Sequence, residues 1–225
     1  MSIDVMGEPD EEPTKTIYLV RHGETAMNSQ HLMRGWDDPK LNAEGRQDAQ
    51  EAAESIKGIH LDVAYCSDLR RATETMQTIE KAQEKKPRTV VTELLRTIDV
   101  GSWTGKPLAD IEPRLAKLQD CWRTDPGAAA PGGESWSEFQ GRQIKAWKMI
   151  LASAESEILV VSHLRCSVWA LGYALVGQKP LTGDDLLLLG RITQAPGKVS
   201  IFSYSKNEGL KIIRVNVRDL YTKLP

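Results

Sequence analysis

Short apolar runs alternate with stretches of helical spacing along most of this chain, and that alternation limits its fold more than any other feature. Runs of strand type stand at residues 16–20, 61–66, 88–92 and 157–162, the last reading Ile158-Leu159-Val160-Val161 before Ser162. Between them, Asn42 looks like the N-cap of a helix over 43–57. Ser67 looks like the cap of another, in which Leu69, Ala72, Met76 and Ile79 recur at helical spacing. Residues 94–108 are glycine-containing and irregular, Pro107 opens a helix expected to run to about residue 123, and helices are predicted over 135–154 and 164–176. Strand candidates at 186–192, 198–205 and 210–216 close the chain, the last two joined by Lys206-Asn207-Glu208-Gly209 as a hairpin. Strands alternating with helices predict an α/β fold with a mainly parallel sheet covered on both faces.

A chain of 225 residues suits one domain with a core that needs no metal or disulfide staple. With 29 basic and 31 acidic residues the net charge is -2, which argues against nucleic acid or an anionic membrane as a general partner. Cys66, Cys121 and Cys166 are odd in number and irregular in spacing, so reduced thiols and a cytoplasmic location are expected. No apolar run approaches the ~20 residues needed to span a bilayer. Residues 1–13 hold Asp4, Glu8, Asp10, Glu11, Glu12 and two prolines, and read as a disordered acidic tail before a domain over 14–225.

Ligands of open α/β sheets gather beyond the carboxyl ends of the strands. His22 follows the strand at 16–20 and His163 follows the strand at 157–162, whereas His31 and His60 hold no such position. Arg21 adjoins His22, and Arg71 lies in the first turns of the helix that leaves the strand at 61–66. Two imidazoles with two guanidiniums point to phosphate. Guanidinium binds phosphoryl oxygens through paired, charge-assisted hydrogen bonds, and fixed positive donors stabilise the charge that spreads over a transferring phosphoryl group. A neutral histidine offers a ring nitrogen as nucleophile, and a second can help hold the phosphoryl charge, without a metal or other cofactor. The tripeptide Arg21-His22-Gly23 alone is a weak signal; the combination carries the argument.

At these residues the sequence resembles the histidine phosphatase superfamily in its phosphoglycerate-mutase-like branch. The likeness runs through Arg21-His22-Gly23-Glu24-Thr25 with Asn28, through Arg34-Gly35-Trp36, and through Ser67-Asp68-Leu69-Arg70-Arg71. It continues through Gly101-Ser102-Trp103-Thr104-Gly105, Gly132-Gly133-Glu134-Ser135 with Arg142, and Val161-Ser162-His163. The resemblance implies a three-layer α/β/α sandwich and a phosphohistidine intermediate at His22. It also implies a phosphate pocket of Arg21, Arg71 and His163, with Gly23, Asn28, Arg34 and Gly35 as substrate-binding neighbours. The Gly132-to-Ser135 segment reads more simply as a turn and helix cap.

The chain departs from the family pattern in two places. Thr97 stands where family members usually carry the glutamate that protonates the leaving oxygen, and threonine cannot serve as that acid. Asp99, two residues on, would share a face with it in extended backbone and is a candidate substitute, or equally a structural carboxylate. Leu164 stands where the family usually has glycine. Loss of positioned acid–base help typically costs ~10²–10⁴-fold in rate.

The expected activity is therefore that of a metal-independent phosphatase acting on a small phosphorylated substrate, with inorganic phosphate as its other ligand. The alternative is a phosphate-binding or protein-binding member with weak or no catalysis. A mutase is less favoured, because residues 106–131, only 26 positions, separate Gly105 from Gly132. A homodimer is one of the oligomeric states left open. The segment Gly101 to Lys106 is one residue short of a P-loop, Cys66 and Arg71 are too close for a cysteine phosphatase loop, and no zinc spacing occurs. The six tryptophans are expected in the core.

Overall fold

The computed structural model describes residues 14–185 and 192–217. The acidic segment 1–13, and residues 186–191 of the strand expected at 186–192, lie outside the described residues. The chain runs β1 (Lys15–Arg21), α1 (Ala26–Ser29), α2 (Ala43–Ser55), β2 (Val63–Ser67), α3 (Arg70–Ala82) and β3 (Arg88–Thr92). It continues through α4 (Leu108–Cys121), α5 (Trp136–Leu151), β4 (Glu157–Ser162), α6 (Leu164–Leu175), β5 (Val199–Ser205) and β6 (Gly209–Val217). One six-stranded sheet has the order β3-β2-β4-β1-β5-β6. The first four strands in that order are parallel, and β5 and β6 join antiparallel at one edge, so the sheet is mainly parallel as expected.

Two-residue periodicity sorts the strand side chains onto two faces. Ile17, Leu19, Val63, Tyr65, Ile158 and Val160 pack with Phe139, Trp147 and Trp169 of α5 and α6. Tyr18, Val20, Ala64, Cys66, Leu159 and Val161 pack with Ala52, Ala53, Ala72, Met76 and Ile79 of α2 and α3. Two separate apolar layers on one sheet make the three-layer α/β/α sandwich. The strands are buried on both faces, which is why β4 reads as an unbroken apolar run rather than an alternating one.

Helix starts follow local chemistry. The Asn42 side chain accepts the Gly45 N–H at 2.7 Å and begins α2, and Ser135 with Glu138 forms a capping box at the start of α5. Ser67 departs from expectation. It is the last residue of β2, Leu69 occupies the N-cap position of α3, and the Ser67 hydroxyl is drawn to His163 instead. Five tryptophans are buried, whereas Trp36 is 37% exposed and lies against the guanidinium groups of Arg96 and Arg142.

Candidate active site

The register of β1 and β4 brings the two strand-end histidines together. Arg21 pairs with Ser162 in the parallel ladder, and the His22 N–H donates to the Ser162 carbonyl at 2.9 Å, so His22 and His163 leave the sheet as neighbours. After β1 the chain passes to the α2/α3 face, and after β4 it passes to the α5/α6 face. The crevice opens at this reversal, where open α/β sheets bind ligands. The ring centroids are 5.1 Å apart at 63°, and both residues are 2% exposed.

His22 Nδ1 lies 2.6 Å from the Gly23 carbonyl oxygen. A carbonyl can only accept, so Nδ1 carries the ring proton and Nε2 keeps its lone pair. Burial, and then the charges of Arg71 and Arg21, hold the His22 pKa well below the usual imidazole value. The ring is neutral at cellular pH, the state in which an imidazole can act as a nucleophile. Burial, Arg71 and His22 act on His163 in the same direction. Ser67 Oγ accepts the Leu69 N–H and lies 2.9 Å from His163 Nε2, to which its own O–H can donate. In that tautomer His163 Nδ1 is a donor.

Arg71 enters from the first turn of α3 and is 1% exposed, with Nη1 bonded to the Asp37 carbonyl at 2.6 Å and Nη2 to the Gly35 carbonyl at 3.0 Å. Arg21 Nη1 donates to the Gln194 carbonyl at 2.6 Å. Burial lowers the pKa of each guanidinium to about 10, so both stay charged at neutral pH. Arg21 Nε, Arg71 Nε and His163 Nδ1 are buried without a protein partner. A buried donor left unpaired costs about 1–3 kcal/mol, and an anion beside His22 would satisfy donors of this kind.

A cavity of about 390 Å³ opens from this point and is lined at one end by His22, Arg34, Gly35, Arg71 and His163. Asn28, Thr97 and Asp99 also line it. Asn28 spends its side-chain oxygen on Thr25 at the start of α1, which keeps the amide nitrogen as its remaining donor. Gly35 has φ +49, and a Cβ there would meet Val100 Cγ2 at 2.7 Å. Arg21 and Gly23 do not line the cavity. Gly23 fixes the His22 tautomer through its carbonyl and bonds Thr75 Oγ1 through its N–H at 3.1 Å, so both of its backbone groups serve the protein. Asp99 Oδ1 accepts the Gly101 N–H at 2.9 Å, a turn-stabilising bond, and leaves Oδ2 without a hydrogen bond among the described residues.

The sequence reading missed several lining residues. Glu134 lines the cavity beyond its place in the turn before α5, and Arg142 Nε and Nη2 grip its carboxylate at 2.9 and 2.7 Å. Arg165 lines it from the first turn of α6, and among the described residues neither the Arg165 nor the Arg34 guanidinium makes a hydrogen bond or an ion pair. An arginine two residues after His163 was the available signal. His31, which ends no strand, reaches the rim because residues 31–33 bond to residues 105–108, as in Met33 N–H to Lys106 O at 2.9 Å. Trp103 and Trp122, expected only in the core, also form cavity wall.

A parallel sheet with paired histidines and arginines at its crevice defines a class of phosphate-handling α/β protein. The chain belongs to the histidine phosphatase superfamily (branch 1), whose profile matches residues 17–217. It is 36% identical over 190 residues to the 2,3-bisphosphoglycerate-dependent phosphoglycerate mutase of Parvibaculum lavamentivorans, covering 80% of this chain and 87% of that protein. Its fold is similar to that of a putative alpha-ribazole-5'-P phosphatase from Escherichia coli, with TM-score 0.75 and 23% identity over 93% of this chain and 99% of the other. It is also similar to that of a mycobacterial glucosyl-3-phosphoglycerate phosphatase, with TM-score 0.73 and 22% identity over 91% and 99%. No described helix is long and apolar enough to cross a membrane.

Proposed function

We propose that this chain is a phosphomonoesterase that acts on a small phosphorylated substrate, needs no metal, and works through a phosphohistidine at His22. The observation that carries the reading is the buried, neutral His22 ring, with its proton held on Nδ1 by the Gly23 carbonyl and its Nε2 lone pair free. Nε2 attacks phosphorus, the P–N bond forms and the P–O bond to the organic group breaks. Arg71 and His163 hold the charge of the equatorial oxygens, Arg21 adds its positive charge from behind the cavity wall, and Asn28, Arg34 and Gly35 border the bound phosphate. Asp99, through Oδ2, gives the leaving oxygen its proton and later takes one from the water that displaces His22 and releases inorganic phosphate. Three free cysteines support a reducing, cytoplasmic setting.

The test is hydrolysis of p-nitrophenyl phosphate and sugar phosphates in chelator, beside a His22→Ala control. His22-dependent turnover and an acid-labile phosphoenzyme are expected; turnover equal to the control would end the phosphatase reading. Two other readings each have one supporting observation. Similarity to phosphoglycerate mutases favours mutase activity, read out as interconversion of phosphoglycerate isomers. Thr97 at the acid position favours a phosphate-binding member, read out as phosphate binding without turnover.

A further inference from the structure

The cavity has a second end that the phosphate chemistry does not use. On α4 and just beyond it, Leu108, Ile111, Leu115, Leu118 and Trp122 recur at spacings of three and four, which puts them on one helix face. A helix packed on a core would have such a stripe covered. Here Ile111 and Trp122 are buried, Leu115 and Leu118 are only half-buried, and Leu108 is 36% exposed. Leu108, Leu115, Leu118 and Trp122 line the cavity, as do Met33, Val100 and Leu164. These seven side chains offer no hydrogen bonds to hydroxyl or carboxylate groups, although His31, Glu134 and Arg165 line the same cavity, and the wall is continuous with the lining of His22, Arg71 and His163. Bringing the hydroxyls of a sugar or the carboxylate of a phosphoglycerate against it would strip their water without replacement.

We infer that the substrate is a phosphomonoester whose organic part is apolar, a hydrocarbon chain or ring system lying along α4 while its phosphate meets His22. Leu164 helps define the class, since its side chain adds apolar surface directly beside His163. The Glu134 carboxylate in the same lining is neutralised by Arg142 and does not repel the phosphate. The inference rests on the phosphatase reading only for where the phosphate sits.

Two series of ligands separate the two ideas. Straight-chain alkylphosphonates of increasing length, which cannot be hydrolysed, are titrated by calorimetry beside inorganic phosphate and 3-phosphoglycerate. The matching alkyl phosphates are assayed for turnover beside His22→Ala. Affinity is expected to rise about three- to fourfold for each added methylene until the wall is covered. The double variant Leu115→Gln, Leu118→Gln should flatten that slope. Both side chains are half-buried, so the variant keeps the core, and unchanged affinity for inorganic phosphate would verify that the site is intact. A flat series in the unaltered protein, or tighter binding of 3-phosphoglycerate than of hexylphosphonate, overturns the inference and leaves the phosphatase reading standing. A rising series with no His22-dependent turnover upholds the apolar ligand site along α4 and removes the phosphatase reading.

Discussion

His22 and His163 meet edge to face across the β1–β4 seam, ring centroids 5.1 Å apart, with neither ring exposed to more than 2%. Their neutrality has a cost that appears in acid. Both folded pKa values are lowered, so the unfolded chain, whose histidines titrate near 6.5, binds protons first as pH falls. The stability linked to these rings is complete above that value and is lost below it, down to the folded pKa values. Stability should fall between pH 6.5 and 5.5, with about 2 kcal/mol as the ceiling set by two rings that stay neutral throughout. Urea titrations across this range check it, and His163→Gln should remove about half of the slope.

Ser67 holds His163 without reaching the cavity lining, so it is a positioning residue. Ser67→Ala frees the ring from its 2.9 Å bond and is expected to lower kcat/KM on p-nitrophenyl phosphate about 5- to 30-fold. The Tm of the free protein should fall by roughly 2–4 °C or more, because a buried ring nitrogen loses its partner, and the phosphate-induced rise in Tm should shrink.

The proton donor is tested through the leaving group. Asp99→Asn should slow an alkyl phosphate at least tenfold more than p-nitrophenyl phosphate, whose leaving oxygen needs no proton, whereas Thr97→Ala should slow both equally and slightly. Thr97 lines the cavity from backbone held by Trp36 Nε1 at 2.8 Å and Arg142 Nη2 at 3.1 Å. Thr97→Glu is therefore expected to raise alkyl phosphate turnover ~10-fold or more. No gain, together with no effect of Asp99→Asn, would mean that the substrate supplies its own proton.

Arg165 bears a charge unpaired among the described residues at the N-terminal end of α6, where the helix dipole disfavours a cation. Arg165→Gln should stabilise the free protein by about 0.3–1 kcal/mol and raise Tm by roughly 1–3 °C. The same variant should weaken the Tm rise caused by phosphate. A lowered Tm would mean that Arg165 supports the fold.

Gly23 and Gly45 touch backbone to backbone: a Cβ on Gly23 would stand 2.1 Å from the Gly45 carbonyl oxygen. Gly23→Ala must push α2 away from the strand end and should cost roughly 3 kcal/mol or more, read by denaturant unfolding.

The chemistry at strand ends was legible because strand, turn and histidine are contiguous in the chain: Arg21-His22-Gly23 and Ser162-His163 each declare their own position. The bounds of β3 and β4 were legible for the same local reason, an apolar or β-branched run with clear stops. The pairing of β1 with β4 was not. It depends on a ladder between segments far apart in sequence, and without it the histidines are two separate signals. Ser67 misled because its hydroxyl has a remote competitor, and His163 outbids the helix start. Glu134 and Arg165 stayed hidden because a cavity wall is assembled from elements whose spacing in the chain carries no trace of the void between them.

Arg142, on α5, binds the Glu134 carboxylate twice and also takes the carbonyls of Glu93, Leu94, Arg96 and Thr97. One guanidinium thus ties the loop that carries the acid position to a helix whose other face is core. The loop has no independent melting of its own: whatever loosens it must first loosen α5, and the pocket should vanish in the same cooperative step as the globule. Amide exchange in residues 94–99 would then report global rather than local opening, giving this irregular stretch the protection of a core strand.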